Sequence, residues 1–187
     1  MGVGRDHLHA LYADTPDPWD FEHSEYEQAK FVATRAALSR AHYTSVFELG
    51  CGNGQLARHL VNIRDRYTGM DAVVIAIEAA RRAVPDATFI HDFYPCPLPA
   101  DDFDLLILSE ILYFLDRDSL RELASDIATS WPKAEVLSVT WLGETDHELQ
   151  GEEALAVFTA ALSTHDFDCV TQAEGYRIDR GLPEGQT

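Results

Sequence analysis

Val46-Phe47-Glu48-Leu49-Gly50-Cys51-Gly52-Asn53-Gly54-Gln55-Leu56 joins an apolar run ending in an acid to three glycines at alternate positions. Gln55-Leu56-Ala57-Arg58-His59-Leu60 then opens a helical pattern, which puts the glycines at a strand-to-helix turn. Without a Cβ, glycine backbone can take dihedrals closed to other residues and lie against a ligand, while a helix start offers unpaired N–H groups. The turn therefore reads as a ligand cradle.

Strands and helices alternate outward from this turn. Residues 44–49 form the first strand, and Leu56, Leu60 and Ile63 share one face of the helix after it. Residues 67–70 are a short second strand ending at Asp71. Val73, Ile77, Ala80 and Val84 recur at steps of three and four, a helix closed by Arg81-Arg82 before Pro85. Strands follow at 88–91, 103–109 and 136–140, with helices at 118–130 and 152–164. Strands 167–173 and 176–179 turn at Glu174-Gly175. Ahead of the first strand, Ser24-Glu25-Tyr26-Glu27 has the form of a capping box, and Tyr26, Ala29, Ala33, Ala36 and Ala37 follow at helical spacing to about Arg40.

This alternation predicts an α/β, Rossmann-like fold: a seven-stranded, mainly parallel sheet with helices on both faces and an antiparallel C-terminal strand. We expect three parts. Residues 1–23 are an N-terminal surface segment punctuated by Pro16 and Pro18, 24–180 are a single domain with an N-terminal lid helix, and 181–187 are a frayed tail.

The composition excludes several classes. Fourteen basic residues stand against 32 acidic ones, net charge −18, with the acids scattered along the chain. A nucleic-acid backbone needs a basic surface, so it is not the expected partner. Cys51, Cys96 and Cys169 are odd in number and far apart, which points to a reducing compartment and shows no metal-ligand spacing. Cys51 reads as a small turn residue rather than a nucleophile. No apolar run is long enough to span a membrane, no signal-peptide pattern opens the chain, and after Gly2 a myristoylation motif would need Ser or Thr where Asp6 stands. The expectation is a cytoplasmic protein with no membrane partner.

In open sheets of this kind ligands bind beyond the carboxyl ends of the strands. Those ends carry the glycine loop, Asp71-Ala72, His91-Asp92-Phe93-Tyr94, Ser109-Glu110 and Thr140-Trp141. Capping of helix N-termini accounts for each acid singly. It does not account for Glu48, Asp71 and Asp92 converging beside a glycine loop. Trp19, Tyr26 and Lys30 can fold over that loop, whereas Phe21 reads as a staple holding the helix to the sheet.

Two ligands compete for the loop. Gly52-x-Gly54-x-x-Ala57 satisfies a dinucleotide fingerprint, with Asp71 at about the right distance for a ribose contact. The span Glu48 to Gly54 more closely resembles the nucleoside loop of class I S-adenosylmethionine (SAM) methyltransferases, which also explains an acid where a pyrophosphate would not want one. Asp17-Pro18-Trp19-Asp20, Ser24-x-Tyr26-Glu27-Gln28-x-Lys30, the loop, Asp71, and Leu108-Ser109-Glu110-Ile111-Leu112-Tyr113-Phe114-Leu115 together resemble the NodS-like branch of that superfamily over residues 16–180.

The resemblance implies binding of SAM, with S-adenosyl-L-homocysteine (SAH) as product, by Trp19, Tyr26, Lys30, Glu48, Gly50, Cys51, Gly52, Gly54, Asp71, Ala72, Asp92, Phe93 and Ser109. Glu48 would lie near the methionine amino group, Asp71 would take the ribose hydroxyls, Asp92 the adenine amino group, and Phe93 the ring. Lys30 would take the methionine carboxylate or else pair with nearby acids in solvent. The implied reaction is methyl transfer to a small-molecule or oligosaccharide acceptor, with an amine as nucleophile and Glu110, Tyr113 and His147 as catalytic residues; His147-Glu148-Leu149 resembles a family segment on the acceptor side. An O-methyltransferase, a non-catalytic SAM-binding protein and a nicotinamide oxidoreductase are the alternatives. A homodimer partner could complete the acceptor site.

Overall fold

The apolar runs become the strands of one sheet. The computed structural model describes residues 17–185 throughout and, before them, Gly4, Leu8, Ala10, Tyr12, Ala13 and Thr15. Gly2, Asp6 and Pro16, on which parts of the N-terminal reading rest, lie outside the described residues. In chain order the elements are α1 (Glu25–Ala36), β1 (Tyr43–Leu49), α2 (Gln55–Leu60), β2 (Arg64–Asp71), α3 (Val74–Ala83), β3 (Thr88–His91), β4 (Leu105–Ser109), α4 (Arg117–Ser130), β5 (Glu135–Trp141), α5 (Gly151–Ala161), β6 (His165–Ala173) and β7 (Tyr176–Pro183). Single 3-10 turns occupy Val61–Ile63 and Leu112–Phe114.

The seven-stranded sheet has the order β3-β2-β1-β4-β5-β7-β6. β1 through β5 pair in parallel, and β7 runs antiparallel to both β5 and β6. The order in which strands are added reverses at β1, where β2 lies on one side and β4 on the other, and this switch point places the glycine loop at the centre of the carboxyl edge.

Alternate residues of the central strands feed two cores, as the period of two requires. Leu106 and Leu108 of β4 join Phe47, Leu123, Ile127, Trp131, Leu155 and Phe158 beneath α4 and α5. Leu105 and Ile107 join Val46, Tyr67, Leu60, Ile77 and Phe31 beneath α1, α2 and α3. Buried Glu135, at the start of β5, accepts hydrogen bonds from the Ser39 backbone N–H and hydroxyl and from the Tyr43 hydroxyl, tying the segment after α1 to the sheet. Burial, and then the bond to Glu135, push the Tyr43 phenol up to about 12.

Several expected boundaries move: β4 begins at Leu105 rather than Phe103, β6 at His165 rather than Phe167, and β5 gains one residue at each end. α1 ends at Ala36 rather than near Arg40, and α5 at Ala161 rather than Thr164. β2 begins at Arg64, because Tyr43 to Ser45 of β1 offer it a partner along that whole length. Gly181 to Pro183 are not a frayed tail but the end of β7, with Gly181 paired to Val136 and to Phe167. The stripe assigned to α1 is also out of phase: Ala29 and Ala36 are exposed, and Lys30, Phe31 and Thr34 are the buried residues.

Trp131 closes the α4 side of the core. Its ring lies 5.3 Å from Phe103 and 5.8 Å from Phe47, and its indole N–H donates to the Asp101 carbonyl at 2.8 Å. Replacing it leaves a cavity and an unpaired carbonyl, so Trp131→Ala should cost about 3–5 kcal/mol, read as a lowered urea midpoint with unchanged slope.

Candidate active site

The glycine loop is held by its neighbour strand. The N–H groups of Gly50 and Cys51 both donate to the Met70 carbonyl, at 2.8 and 3.1 Å. The Asp71 carboxylate then accepts from the Gly52 N–H and the Val73 N–H, each at 2.9 Å. One side chain thus binds the loop after β1 to the turn before α3. Burial pushes Asp71 above the ordinary carboxylate range, although these N–H groups oppose the shift.

The glycines differ in purpose. Gly52 has φ +50, and a methyl group on it would stand 3.7 Å from the Phe21 ring and 3.8 Å from the Tyr12 hydroxyl, in the mouth of a cavity. Gly54 has φ +79, but its missing methyl would meet the Ala80 Cα at 3.0 Å. Gly54 serves the approach of α2 to α3, while Gly50, Cys51, Gly52 and Asn53 carry the loop's face of the cavity. Cys51 packs its sulfur against Gly69, and burial with the charges of Asp71 and Glu48 holds its thiol well above the ordinary range.

The cavity measures about 650 Å³, within the range of small-molecule sites. It is lined by Trp19, Tyr26, Glu48, Gly50, Cys51, Gly52, Asp71, Ala72, Asp92, Phe93, Ser109, Glu110, Tyr113 and His147, so nearly every sequence-predicted site residue meets here. Buried Glu48 accepts a hydrogen bond from the Tyr67 hydroxyl. Asn53 also lines the cavity, and its buried Oδ1 has no hydrogen-bond partner among the described residues. The Asp92 carboxylate accepts from the Phe93 N–H at 2.8 Å, which directs the turn after β3.

β4 ends in an unusual residue. Glu110 has φ +54, in the left-handed region that costs a residue with a Cβ roughly 1–2 kcal/mol. Such strain gathers where the surroundings over-determine it. Beyond Glu110 the 3-10 turn carries Tyr113 and Phe114, whose rings lie 5.9 and 4.6 Å from His147, with Tyr113 stacked on the imidazole. Burial pushes the Tyr113 phenol up, with Glu110 adding to it. Trp141, at the end of β5, is a cavity wall rather than a core plug, its ring edge-on to Tyr26 at 6.4 Å.

Lys30 departs from expectation. It is neither solvated nor on the cavity wall: it is 2% exposed, and its ammonium lies between Glu110 at 2.5 Å and Glu27 at 2.8 Å. Of its two expected readings, pairing with nearby acids is the one the structure shows, with the ammonium buried rather than in solvent. Phe21, expected as a staple, stacks on Trp19 at 5.4 Å and faces Phe31 at 5.9 Å, so it belongs to the cavity wall as well as to α1. The Asp17 carboxylate sets this aromatic row by accepting from the N–H groups of Phe21 and Glu22 at 2.8 and 3.0 Å. Tyr12, Glu27, Ile111 and Asp146 are wall residues that the sequence reading missed.

The architecture is that of the Rossmann-like methyltransferases. The N-methyltransferase NodS from Bradyrhizobium japonicum WM9, solved in complex with SAH, superposes with a TM-score of 0.81 at 19% identity, over 96% of this chain and 98% of that one. A Pseudomonas syringae protein superposes with a TM-score of 0.72 at 28% identity, over 85% of this chain and 99% of that one. Residues 4–129 match the family described as Nodulation protein S (NodS), and the chain belongs to that family. Among its relatives, Nodulation protein S of Sinorhizobium fredii is 28% identical over 127 residues, which span 61% of this chain and only 57% of that protein.

Glu48 gives the site a pH signature. Burial first, and then the Asp71 charge, hold its carboxyl well above the ordinary value. A carboxyl raised in the folded state contributes stability below its unfolded pKa and loses it as pH climbs through the folded value. Glu48→Gln escapes that loss. The melting temperature of the ligand-free variant relative to the parent should therefore rise from about pH 5 to about pH 8; a difference that is flat or falls with pH would contradict the buried, proton-holding state.

Proposed function

We propose that this chain is a SAM-dependent methyltransferase acting on a small-molecule or glycan acceptor through an amine nitrogen. One observation carries the reading. Among the described residues, the cavity built on the glycine loop has seven acidic side chains in its wall, from Glu27, Glu48, Asp71, Asp92, Glu110, Glu144 and Asp146, and no lysine or arginine. A nicotinamide dinucleotide would bring a pyrophosphate into that field, whereas a sulfonium cofactor and an ammonium acceptor both bring positive charge.

The residues present fit that cofactor. Gly52 leaves room where a methyl group would stand, and the Asp71 carboxylate, which faces the N–H groups of Gly52, Val73 and Ala72, has a fourth lone pair for a ribose hydroxyl. Glu48 and Asn53 would face the methionine end, and Asp92 with Phe93 the adenine end. When bound, SAM supplies a methyl group on a cationic sulfur to an in-line nucleophile. The chain's own work is to orient the acceptor, exclude water and accept a proton from its ammonium, since an amine attacks only when neutral. Glu110 is our proton acceptor, Tyr113 and His147 the acceptor wall, and α1 with Trp19 the cover. An oligosaccharide amine belongs to the acceptor class, and a second copy of the chain could complete that side. The three free cysteines fit a cytoplasmic setting. Among the described residues no helix is long and apolar enough to cross a membrane.

Calorimetric titration with SAM, SAH and NAD tests the cofactor. SAM and SAH should bind and NAD should not, and Asp71→Ala should weaken SAH at least tenfold, about 1.4 kcal/mol. Binding of NAD alone would overturn the reading. In a screen of amine acceptors with labelled SAM, Glu110→Gln should keep SAH affinity and lose roughly 100-fold or more in turnover. Retained turnover would move the proton to His147.

A further inference from the structure

α1 sends two charged side chains into the same buried space from positions 27 and 30. Ser24 caps the helix by accepting from the Glu27 N–H at 3.3 Å, but the Glu27 carboxylate does not return to close the capping box. It turns inward to Lys30, with the ion pair at 2.8 Å. On the far side of the same ammonium stands Glu110, at 2.5 Å, with its backbone in the left-handed region. Glu27 and Glu110 both reach the cavity wall while Lys30 stays behind them.

We infer that Lys30 is a positioning residue for the proposed proton acceptor: it fixes the Glu110 carboxylate at the end of β4 and keeps it charged, with Glu27 as a second carboxylate sharing the same ammonium. The inference rests on the methyltransferase reading only in giving Glu110 its proton-accepting task. Two carboxylates within 3 Å of one nitrogen carry a net single negative charge with the lysine present. Without it they face each other, and like charges so close cannot both ionise. Burial pushes Glu110 up, Lys30 pulls it back, and Glu27 pushes it up again. Among the described residues, Tyr26 on α1 and Tyr113 in the turn after β4 flank the cluster as phenols that burial shifts upward, with Tyr176 of β7 behind Tyr26 and His147 stacked on Tyr113. An ammonium this close sets the charge of Glu110 whatever else it tethers, whereas a lysine serving the methionine carboxylate would show its loss in cofactor affinity.

The measurement is a carboxyl titration of ligand-free protein labelled with 13C at the glutamate Cδ, the two resonances assigned by Glu110→Gln and Glu27→Gln. Lys30→Met should raise the Glu110 midpoint by about one pH unit or more, and Lys30→Arg should return it toward the parent value. Glu27→Gln should move the same midpoint down. Opposed shifts, with SAH affinity held within about threefold in each variant on the scale where tenfold is 1.4 kcal/mol, support the assignment. An unmoved midpoint in Lys30→Met, shifts of the same sign, or a tenfold loss of SAH binding confined to the lysine variants would overturn it. If Lys30→Met does not fold, Glu27→Gln decides alone, since an upward or absent shift excludes a shared ammonium. A parent protein that binds no SAH refutes the methyltransferase reading, and the ligand-free titration still decides the charge arrangement.

Discussion

The Asp71 carboxylate is the constraint on which the site depends. Parallel strands leave their carboxyl ends as separate loops, and nothing in the ladder between β1 and β2 fixes how those loops lie. By accepting from both Gly52 and Val73, Asp71 turns two loops into one surface and fixes the glycine backbone before any ligand arrives. The Met70 carbonyl adds a second clamp to Gly50 and Cys51 from the same strand end. A preformed cradle spares a ligand the cost of ordering a loop, which is where binding free energy is most readily lost.

That arrangement gathers acids, and the fold offsets them unevenly. Asp71 is held by N–H groups, Glu48 by a phenol, and Glu110 by an ammonium. Only the last is a full counter-charge, and it lies at the edge of the cavity nearest α1 and the turn that bears Tyr113. A buried pair is weak evidence for stability, because desolvation consumes most of the attraction. The pair joins α1 to Glu110, whose backbone is in the left-handed region, so it places that carboxylate and the helix together.

Much of this was legible in the sequence. The glycine loop, the order of strands and helices, and the rule that ligands meet strand ends placed Glu48, Asp71, Asp92, Phe93, Ser109, Glu110 and Tyr113 around one cavity. These signals are local: a turn, an apolar run, an acid at its end. What escaped depends on contacts across the chain. Lys30 and Glu110 are 80 residues apart, and no pattern within either segment announces their pairing. Phe21 and Tyr12 join the cavity because the segment before α1 returns over Gly52. β7 outran its expected end because β5 continues alongside it to Gly181 and β6 to Pro183, a fact of pairing and not of propensity.

α1 shows why the periodicity itself misled. Reading apolar residues at steps of three and four selects Tyr26 and the alanines at 29, 33, 36 and 37, of which only Ala37 is buried, and alanine suits either face of a helix. The buried face instead runs through Lys30, Phe31, Thr34 and the cap residue Ala37, with the Thr34 hydroxyl returned to the Lys30 carbonyl at 2.8 Å. A stripe containing a lysine scores as solvent-facing on any hydropathy argument, because such arguments assume that burial removes charge from water without replacing its partners. Here two carboxylates replace them. The rotation of α1 is therefore set by an ion cluster at the cavity and not by its apolar residues alone, and it is the same rotation that brings Tyr26 against Trp141. The helix is oriented by the site it covers.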